Sequence, residues 1–241
     1  METQLLPKNK KRLIFATSSR FYGNMSLNYA DTSSSLANRK AFLGRQNIEH
    51  SDLVCAKQVH GSGVRLVERK DCGRGALSYD TAIDDTDALV TADKNIPLGV
   101  FTADCLCVFI YDSGNQIISL VHAGWRGTKE KIVSKTLRLM AKEFNSKPSD
   151  IIISFGPSIK DCCYEVGADF REKFPGDVKE RGKRFYLDLA GANKKQLADC
   201  GIPERNVFDP GICTCCKTED FFSFRREGPL AGRQMSVMML V

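Results

Sequence analysis

One change of hydrophobic period constrains the fold of this chain more than any other feature. The apolar run QIISLVH at residues 116–122 has the composition of a buried strand, and from Thr128 to about Asn145 apolar residues recur at spacings of three and four. That second pattern is typical of an amphipathic helix. Pro148 ends it before another apolar run, IIISF at residues 151–155. A strand, a helix and a strand in this order predict a β-α-β unit.

Short β-type runs dominate the chain before that unit. They are separated by glycine, aspartate and asparagine, and they read RLIFATSS, GVRLVER, DALVT, LGVFTADC and CVFIYD. After the unit, RFYLDL, RNVFD and MSVMMLV also have strand composition, whereas LAGANKKQLADCG is typical of a helix that ends at Gly201. No internal repeat or linker marks a boundary, and a hydrophobic content of 42% is enough for one core. We therefore expect a single domain over residues 1–241, of α/β or α+β class with a mixed sheet and flanking helices, and a flexible basic stretch at residues 1–11.

The charge distribution argues against a nucleic-acid partner. The formal net charge is +6, and four of those positive charges come from the N-terminal residues Lys8, Lys10, Lys11 and Arg12. No nucleic-acid-binding motif accompanies them. The first residues, METQLLPKNKKR, lack the apolar core of a secretory signal, and no run approaches the roughly 18 apolar residues of a membrane span. These features predict a cytoplasmic protein without nucleic-acid or membrane partners.

The ten cysteines of the chain are expected to be free thiols in the cytoplasm, with metal binding or catalysis as minority roles. Cys213 and Cys216 have the Cys-x-x-Cys spacing of a metal-binding turn. Such a turn needs a second pair of ligands, and the adjacent Cys162 and Cys163 are not spaced like one. The spacing therefore disfavours a metal site at these cysteines.

Three other residues are better placed for metal chemistry. His60, Cys105 and His122 each lie where a β-type run gives way to a loop. Two imidazoles and one thiolate are suited to Zn²⁺, with a fourth position open to water or substrate. The gaps of 45 and 17 residues form no local signature, so three unrelated packed side chains are the alternative interpretation.

Several arginines lie in loops close to these segments. Arg126 lies at the predicted start of the helix, Arg20 lies in a loop rich in serine, and Arg225 and Arg226 are adjacent in a later loop. Guanidinium groups in such positions suit a phosphate or a carboxylate, and solvated surface positions are the alternative. Trp125, the only tryptophan, is expected to be a packing anchor.

A series of segments occurs in the order seen in one known family. The segments are KQVHG (57–61), GVFTADC (99–105), HAGWRG (122–127), GPSIKDCCYEVG (156–167), CTCC (213–216) and FFSFRREGPLAGR (221–233). The chain resembles the bacterial and animal proteins first named for a laccase or polyphenol oxidase domain. Members of that family are now largely described as purine nucleoside phosphorylases with adenosine deaminase activity. The resemblance covers nearly the whole chain.

The resemblance implies a fold, a cofactor and an activity. The fold is a single layered α/β domain, and the cofactor is Zn²⁺ bound by His60, Cys105 and His122. The activity is phosphorolysis of adenosine, inosine, guanosine or methylthioadenosine to the base and a ribose 1-phosphate, together with deamination of adenosine. The partners are then a nucleoside and phosphate, and we expect a monomer or a small homo-oligomer.

Further roles follow from the same resemblance. Arg20 and Arg126 are expected to bind phosphate, and Cys105 and Arg126 are expected to be catalytic. Asp104 and Glu165 are candidates to carry protons. The chain departs from the family at two points, since Cys215 stands where an aromatic residue is more common and the loop around Arg20 contains less glycine.

Two other functions compete with this one. A copper-dependent phenol oxidase of the multicopper type needs on the order of ten imidazole ligands, and the chain has three histidines, although a single copper ion fits the same three residues. In the other alternative, Cys105 is a nucleophile that His122 activates for the hydrolysis of an amide. A pure binding role is the least favoured.

Overall fold

The computed structural model describes residues 13–28 and 31–241, and within them the chain forms a mixed α/β domain. The predicted basic stretch at residues 1–11 lies outside the described residues. The strands are β1 (Leu13–Thr17), β2 (Val54–Cys55), β3 (Val64–Leu66), β4 (Ala88–Thr91), β5 (Leu98–Thr102), β6 (Leu106–Asp112), β7 (Ile117–Ala123), β8 (Ile151–Phe155), β9 (Glu165–Val166), β10 (Val178–Arg181), β11 (Arg184–Leu187), β12 (Val207–Phe208) and β13 (Gln234–Leu240). The helices are α1 (Thr32–Gly44), α2 (Trp125–Lys129), α3 (Ile132–Phe144), α4 (Phe170–Lys173), α5 (Leu189–Asp199) and α6 (Phe224–Glu227).

The strands form three sheets. The largest has six strands in the order β12-β8-β6-β7-β4-β3, the second has four in the order β1-β13-β5-β2, and the smallest has three in the order β10-β11-β9. The two larger sheets are mixed, because β2 pairs with β5, β3 with β4 and β12 with β8 in parallel while their other pairs are antiparallel. This arrangement confirms the predicted fold class.

The two larger sheets pack face to face. Alternate residues of β6 and β7, such as Phe109 and Leu120, are buried against Val100 of β5 and Met238 of β13. Residues two apart on a strand share a face, so the intervening residues of the same strands point the other way. Those residues, such as Val108 and Val121 on the six-stranded sheet, pack on helices α3 and α5. The opposite face of the four-stranded sheet packs on α1, and the domain therefore has four layers.

The predicted β-α-β unit is present, but its two strands are not neighbours in the sheet. Both β7 and β8 pair antiparallel with β6, so they are parallel to each other and β6 lies between them. The predicted single helix from Thr128 to about Asn145 is also wrong at its start. Lys131 has a left-handed backbone conformation (φ 61°), which separates the short α2 from α3. The predicted apolar face lies on α3, where Val133, Leu137 and Met140 are buried.

No helix within the described residues is both long enough and apolar enough to cross a membrane.

Candidate metal centre and its cavity

The fold brings His60, Cys105 and His122 into one cluster. His60 lies in the loop after β2, Cys105 lies in the turn between β5 and β6, and His122 is the penultimate residue of β7. A potential ligand atom from each of the three lies within 4.8 Å of the others. The two imidazole rings are 4.8 Å apart and meet edge to face. Three positions that are distant in the sequence therefore form one group with the donor set of a metal site.

Asp87 orients both histidines of this cluster. It precedes β4 and is 1% exposed, and its Oδ1 lies 2.7 Å from Nδ1 of His122. The same carboxylate accepts hydrogen bonds from the backbone N–H groups of Val59, His60 and Gly61, at 3.2, 3.0 and 2.8 Å. A carboxylate on one ring nitrogen of a histidine fixes its tautomer and leaves the other nitrogen for a metal. Asp87 was not among the predicted site residues, although a polar residue directly before the buried run ALVT was an available signal.

The electrostatics of the cluster favour a thiolate. Burial opposes ionisation of Cys105, but the charge of His122 and hydrogen bonds from His122 and His60 outweigh it and lower the pKa of the thiol to about 6. Burial likewise opposes protonation of His122, but Cys105 and Asp87 together raise the pKa of its imidazole to about 9. A thiolate is the form of cysteine that binds a metal ion. The thiolate supplies the negative charge that a divalent cation needs, and a bound cation would replace the proton on His122.

Two glycines allow the strands and loops to approach the cluster. A Cβ atom at Gly124 would lie 3.1 Å from Sγ of Cys105 and 3.3 Å from Cδ2 of His60. A Cβ atom at Gly127 would lie 2.5 Å from the carbonyl oxygen of Gly61, which is shorter than any allowed contact. The sequence HAGWRG thus needs glycine on both sides of Trp125. Two imidazoles, one thiolate and an orienting carboxylate match the ligands and support of a three-ligand Zn²⁺ site, so the residues present fit this ion.

A cavity of about 510 Å³ opens beside the cluster. This volume is within the usual range for sites that bind small molecules. The three candidate ligands lie on its wall. Five aromatic residues also line the cavity, and they are Tyr79, Phe101, Trp125, Tyr164 and Phe224. Trp125 also packs against Phe170 at a ring distance of 5.1 Å, which confirms its predicted packing role.

Two arginines of the cavity wall have no acidic partner among the described residues. The guanidinium of Arg126 lies 5.0 Å from the ring centre of Trp125, and that of Arg225 lies 5.4 Å from the ring centre of Tyr164. In the described part of the chain, neither guanidinium forms an ion pair with a carboxylate. Positive charge that none of the described carboxylates neutralises makes this part of the wall suited to an anion.

The structure does not bring the other predicted phosphate ligand, Arg20, into this wall. Arg20 is absent from the cavity lining, and its Nη1 donates to Oε1 of Glu227 at 2.8 Å. Arg226, the neighbour of Arg225, also points elsewhere, because it donates to three backbone carbonyls. Spacing along the chain did not separate these arginines, because only the loop conformations decide which of them face the cavity.

The two candidate proton carriers are already engaged. Asp104 is 8% exposed, and its carboxylate accepts hydrogen bonds from the hydroxyls of Thr214 and Ser223 and from the backbone N–H of Arg225. Glu165 lies outside the cavity lining and pairs with Arg184 at 3.4 Å. Asp104 therefore holds the loops of the cavity together, and Glu165 belongs to the surface.

The fold and the cluster together define a class of protein: a layered α/β domain with a candidate metal centre of two histidines and one cysteine on the wall of a cavity. The sequence model of the family described as multi-copper polyphenol oxidoreductase laccase matches residues 16–241, and the chain belongs to that family. The name does not describe the chemistry available here, because three histidines are too few for several copper ions.

Relatives and solved structures agree with this assignment. The chain is 40% identical over 170 residues to a purine nucleoside phosphorylase of Clostridium acetobutylicum, an alignment that covers 68% of this chain and 71% of that protein. It is 32% identical over 195 residues to adenosine deaminase RL5 from an unknown prokaryotic organism, which covers 77% and 74% of the two chains. The crystal structure of YlmD from Geobacillus stearothermophilus superposes with a TM-score of 0.92 at 26% identity and 98% coverage of both chains.

Proposed function

We propose that this protein is a zinc-dependent purine nucleoside phosphorylase that also deaminates adenosine. One observation carries the proposal: the three candidate metal ligands, two arginines that pair with none of the described carboxylates, and several aromatic rings line the same cavity. The names of the relatives, purine nucleoside phosphorylase and adenosine deaminase, support the substrate class. In the proposed reaction, an oxygen of phosphate bonds to the anomeric carbon of ribose while the bond to the base breaks, and the base takes up a proton.

Different side chains of the cavity bind the phosphate, the purine and the zinc ion. Arg126 and Arg225 bind and orient the phosphate anion, and the aromatic rings pack against the purine and exclude water from it. His60, Cys105 and His122 hold the zinc ion, and Asp87 keeps the two histidines in place. When bound, Zn²⁺ supplies a Lewis acid that polarises an oxygen of phosphate or substrate and, for deamination, makes water a stronger nucleophile.

The direct test is an assay of the full chain with inosine. We expect release of hypoxanthine and ribose 1-phosphate that depends on phosphate, is lost after treatment with a chelator and returns when Zn²⁺ is added. Adenosine should in addition yield inosine. High-performance liquid chromatography of the products measures both reactions.

Three results, from this assay and from two companion assays, would contradict the proposal. Release of the base without phosphate would indicate a hydrolase. Oxidation of phenols by copper-loaded protein, without any action on nucleosides, would favour the oxidase. The arrangement of Asp87, His122 and Cys105 also resembles a nucleophilic triad. If an alkylating reagent modifies Cys105 equally fast with and without chelator, the thiol is a nucleophile rather than a zinc ligand.

Arg126→Ala tests the phosphate site. The variant should raise the KM for phosphate by about tenfold to a hundredfold, the loss expected for a hydrogen bond to a charged group, while its zinc content stays that of the wild type. Lys129→Ala is the matched control, because Lys129 is an exposed cation of the same short helix outside the cavity lining. Steady-state kinetics at varied phosphate and metal analysis give the two readouts. An unchanged KM for phosphate would assign the anion to other residues.

A further inference from the structure

Four cysteine sulfurs meet in a second cluster that the proposed reaction does not use. They belong to Cys162, Cys163, Cys213 and Cys216, and all four sulfur atoms lie within 4.8 Å of one another. The sulfur of Cys216 is 3.7 Å from that of Cys162 and 3.3 Å from that of Cys163. Two distant segments of the chain therefore present their thiols to a common point.

Backbone hydrogen bonds hold these two segments together. Ser158, in the first segment, forms a parallel bridge with Cys213 in the second. The N–H of Ser158 donates to the carbonyl of Ile212 and the N–H of Thr214 donates to the carbonyl of Ser158, both at 3.2 Å. The approach of the two cysteine pairs thus depends on backbone contacts between segments that are far apart in the chain.

The second segment forms a turn that carries two of the four cysteines. The N–H of Lys217 donates to the carbonyl of Cys213 at 3.0 Å, which closes the turn. The sulfurs of Cys213 and Cys216, at the two ends of the Cys-x-x-Cys spacing, lie within 4.8 Å of each other. A turn of this kind supplies two of the four ligands of a structural Zn²⁺ site.

A guanidinium lies against the same turn. Arg226 donates to the carbonyls of Thr214 and Cys215 at 3.0 and 2.8 Å. Its charge is paired with Glu227, so the contribution of Arg226 to the site is to fix the turn that carries Cys213 and Cys216.

We propose that Cys162, Cys163, Cys213 and Cys216 bind one Zn²⁺ ion as a closed structural site. With Zn–S bonds of about 2.3 Å, tetrahedral geometry places the sulfurs about 3.8 Å apart, which is close to the separations found here. A polynuclear iron–sulfur cluster holds its thiolates further apart, because iron and sulfide ions lie between them. Binding releases to solvent the proton of each thiol that is not yet ionised. No coordination position is left for a substrate.

The spacing in the sequence disfavoured this site because neighbouring side chains of an extended strand point to opposite sides. Cys162 and Cys163 instead lie in a turn, and both sulfurs face Cys216. A zinc ion bound to the four cysteines would also stabilise the wall of the cavity. Thr214 in the Cys-x-x-Cys turn donates to Asp104 at 2.6 Å, and Tyr164, which follows Cys163, lines the cavity wall.

Metal analysis of the full chain, purified under reducing conditions without chelator, tests the proposal. The wild type should contain about two zinc ions per chain, one for each cluster, and the Cys162→Ser/Cys216→Ser variant should retain about one. Both replaced residues are exposed, so little packing is lost. Cys215→Ser is the matched control in the same turn and should retain both ions. A double variant with as much zinc as the wild type would overturn the proposal.

Two further measurements work even if that variant does not fold. In the wild type, the four thiols should resist alkylation until a strong chelator is added, as measured by mass spectrometry of peptides. In the His60→Ala/His122→Ala variant, X-ray absorption should find the remaining zinc surrounded by sulfur alone at about 2.3 Å. Rapid alkylation of all four thiols without chelator, or a disulfide to Cys216 in protein kept with a reductant, would overturn the metal site.

Discussion

The His60→Ala/His122→Ala variant is expected to lose the zinc of the cavity and to lower phosphorolysis of inosine by on the order of 10³-fold or more. The reason is that a single thiolate, Cys105, remains of the three ligands, and one ligand does not retain the ion. A Lewis acid contributes several kcal/mol to the stability of a transition state, and about 4 kcal/mol corresponds to a factor of 10³ in rate. Metal analysis and the inosine assay measure the two losses.

His50→Ala is the matched control for that variant. His50 is the remaining histidine of the chain, and its ring pairs with Glu49 at 2.7 Å in a turn away from the cavity lining. Its replacement should leave zinc content and rate unchanged. If phosphorolysis survives in the double variant after its loss of zinc is verified, the metal mechanism is wrong.

Asp87→Ala is expected to weaken zinc binding about 10- to 100-fold and to reduce activity in parallel, although Asp87 touches no metal ion. The substitution removes the acceptor that fixes Nδ1 of His122. It also leaves the N–H groups of residues 59–61 without their partner, so the loop that carries His60 loses its anchor. Zinc affinity is measured by competition with a chromogenic chelator.

Two companion variants sharpen this test. Asp87→Asn keeps the size and one oxygen acceptor but loses the charge, so its zinc affinity should lie between those of Asp87→Ala and the wild type. Asp84→Ala removes an exposed carboxylate of the same segment, one that pairs with Lys57, and should bind zinc as the wild type does. Wild-type affinity in Asp87→Ala would show that the backbone alone positions the histidines.

The helix α1 shows where local sequence was insufficient. The segment TSSSLANRKAFLG is rich in serine and has no regular apolar stripe, so its pattern did not predict a helix. In the structure, the carboxylate of Asp31 accepts hydrogen bonds from the backbone of Ser33 and Ser34 and caps the first turn. Phe42 and Leu43 are buried at the other end, against the four-stranded sheet. Helix α1 is therefore stabilised by its N-terminal cap and by the burial of its C-terminal end in the tertiary structure.

The two clusters of candidate metal ligands also differ in how far the sequence predicted them. For His60, Cys105 and His122, the ends of the β-type runs were enough to nominate the residues, because loops at strand ends gather in a layered fold. The cluster of four cysteines could not be predicted in this way. The adjacent positions of Cys162 and Cys163 do not show that a turn directs both sulfurs towards Cys213 and Cys216.

The sequence by itself determined the β-type composition of the main strands and the period of helix α3, and it nominated His60, Cys105 and His122 as candidate ligands. These depend on neighbours a few residues apart, where side-chain pattern and backbone sterics act directly. The tertiary structure alone decided that β6 lies between β7 and β8, that Asp87 holds both histidines, that Arg225 and not Arg20 faces the cavity, and that four cysteines meet. Each of these depends on contacts between segments that are far apart in the chain, and their approach is set by the packing of whole layers.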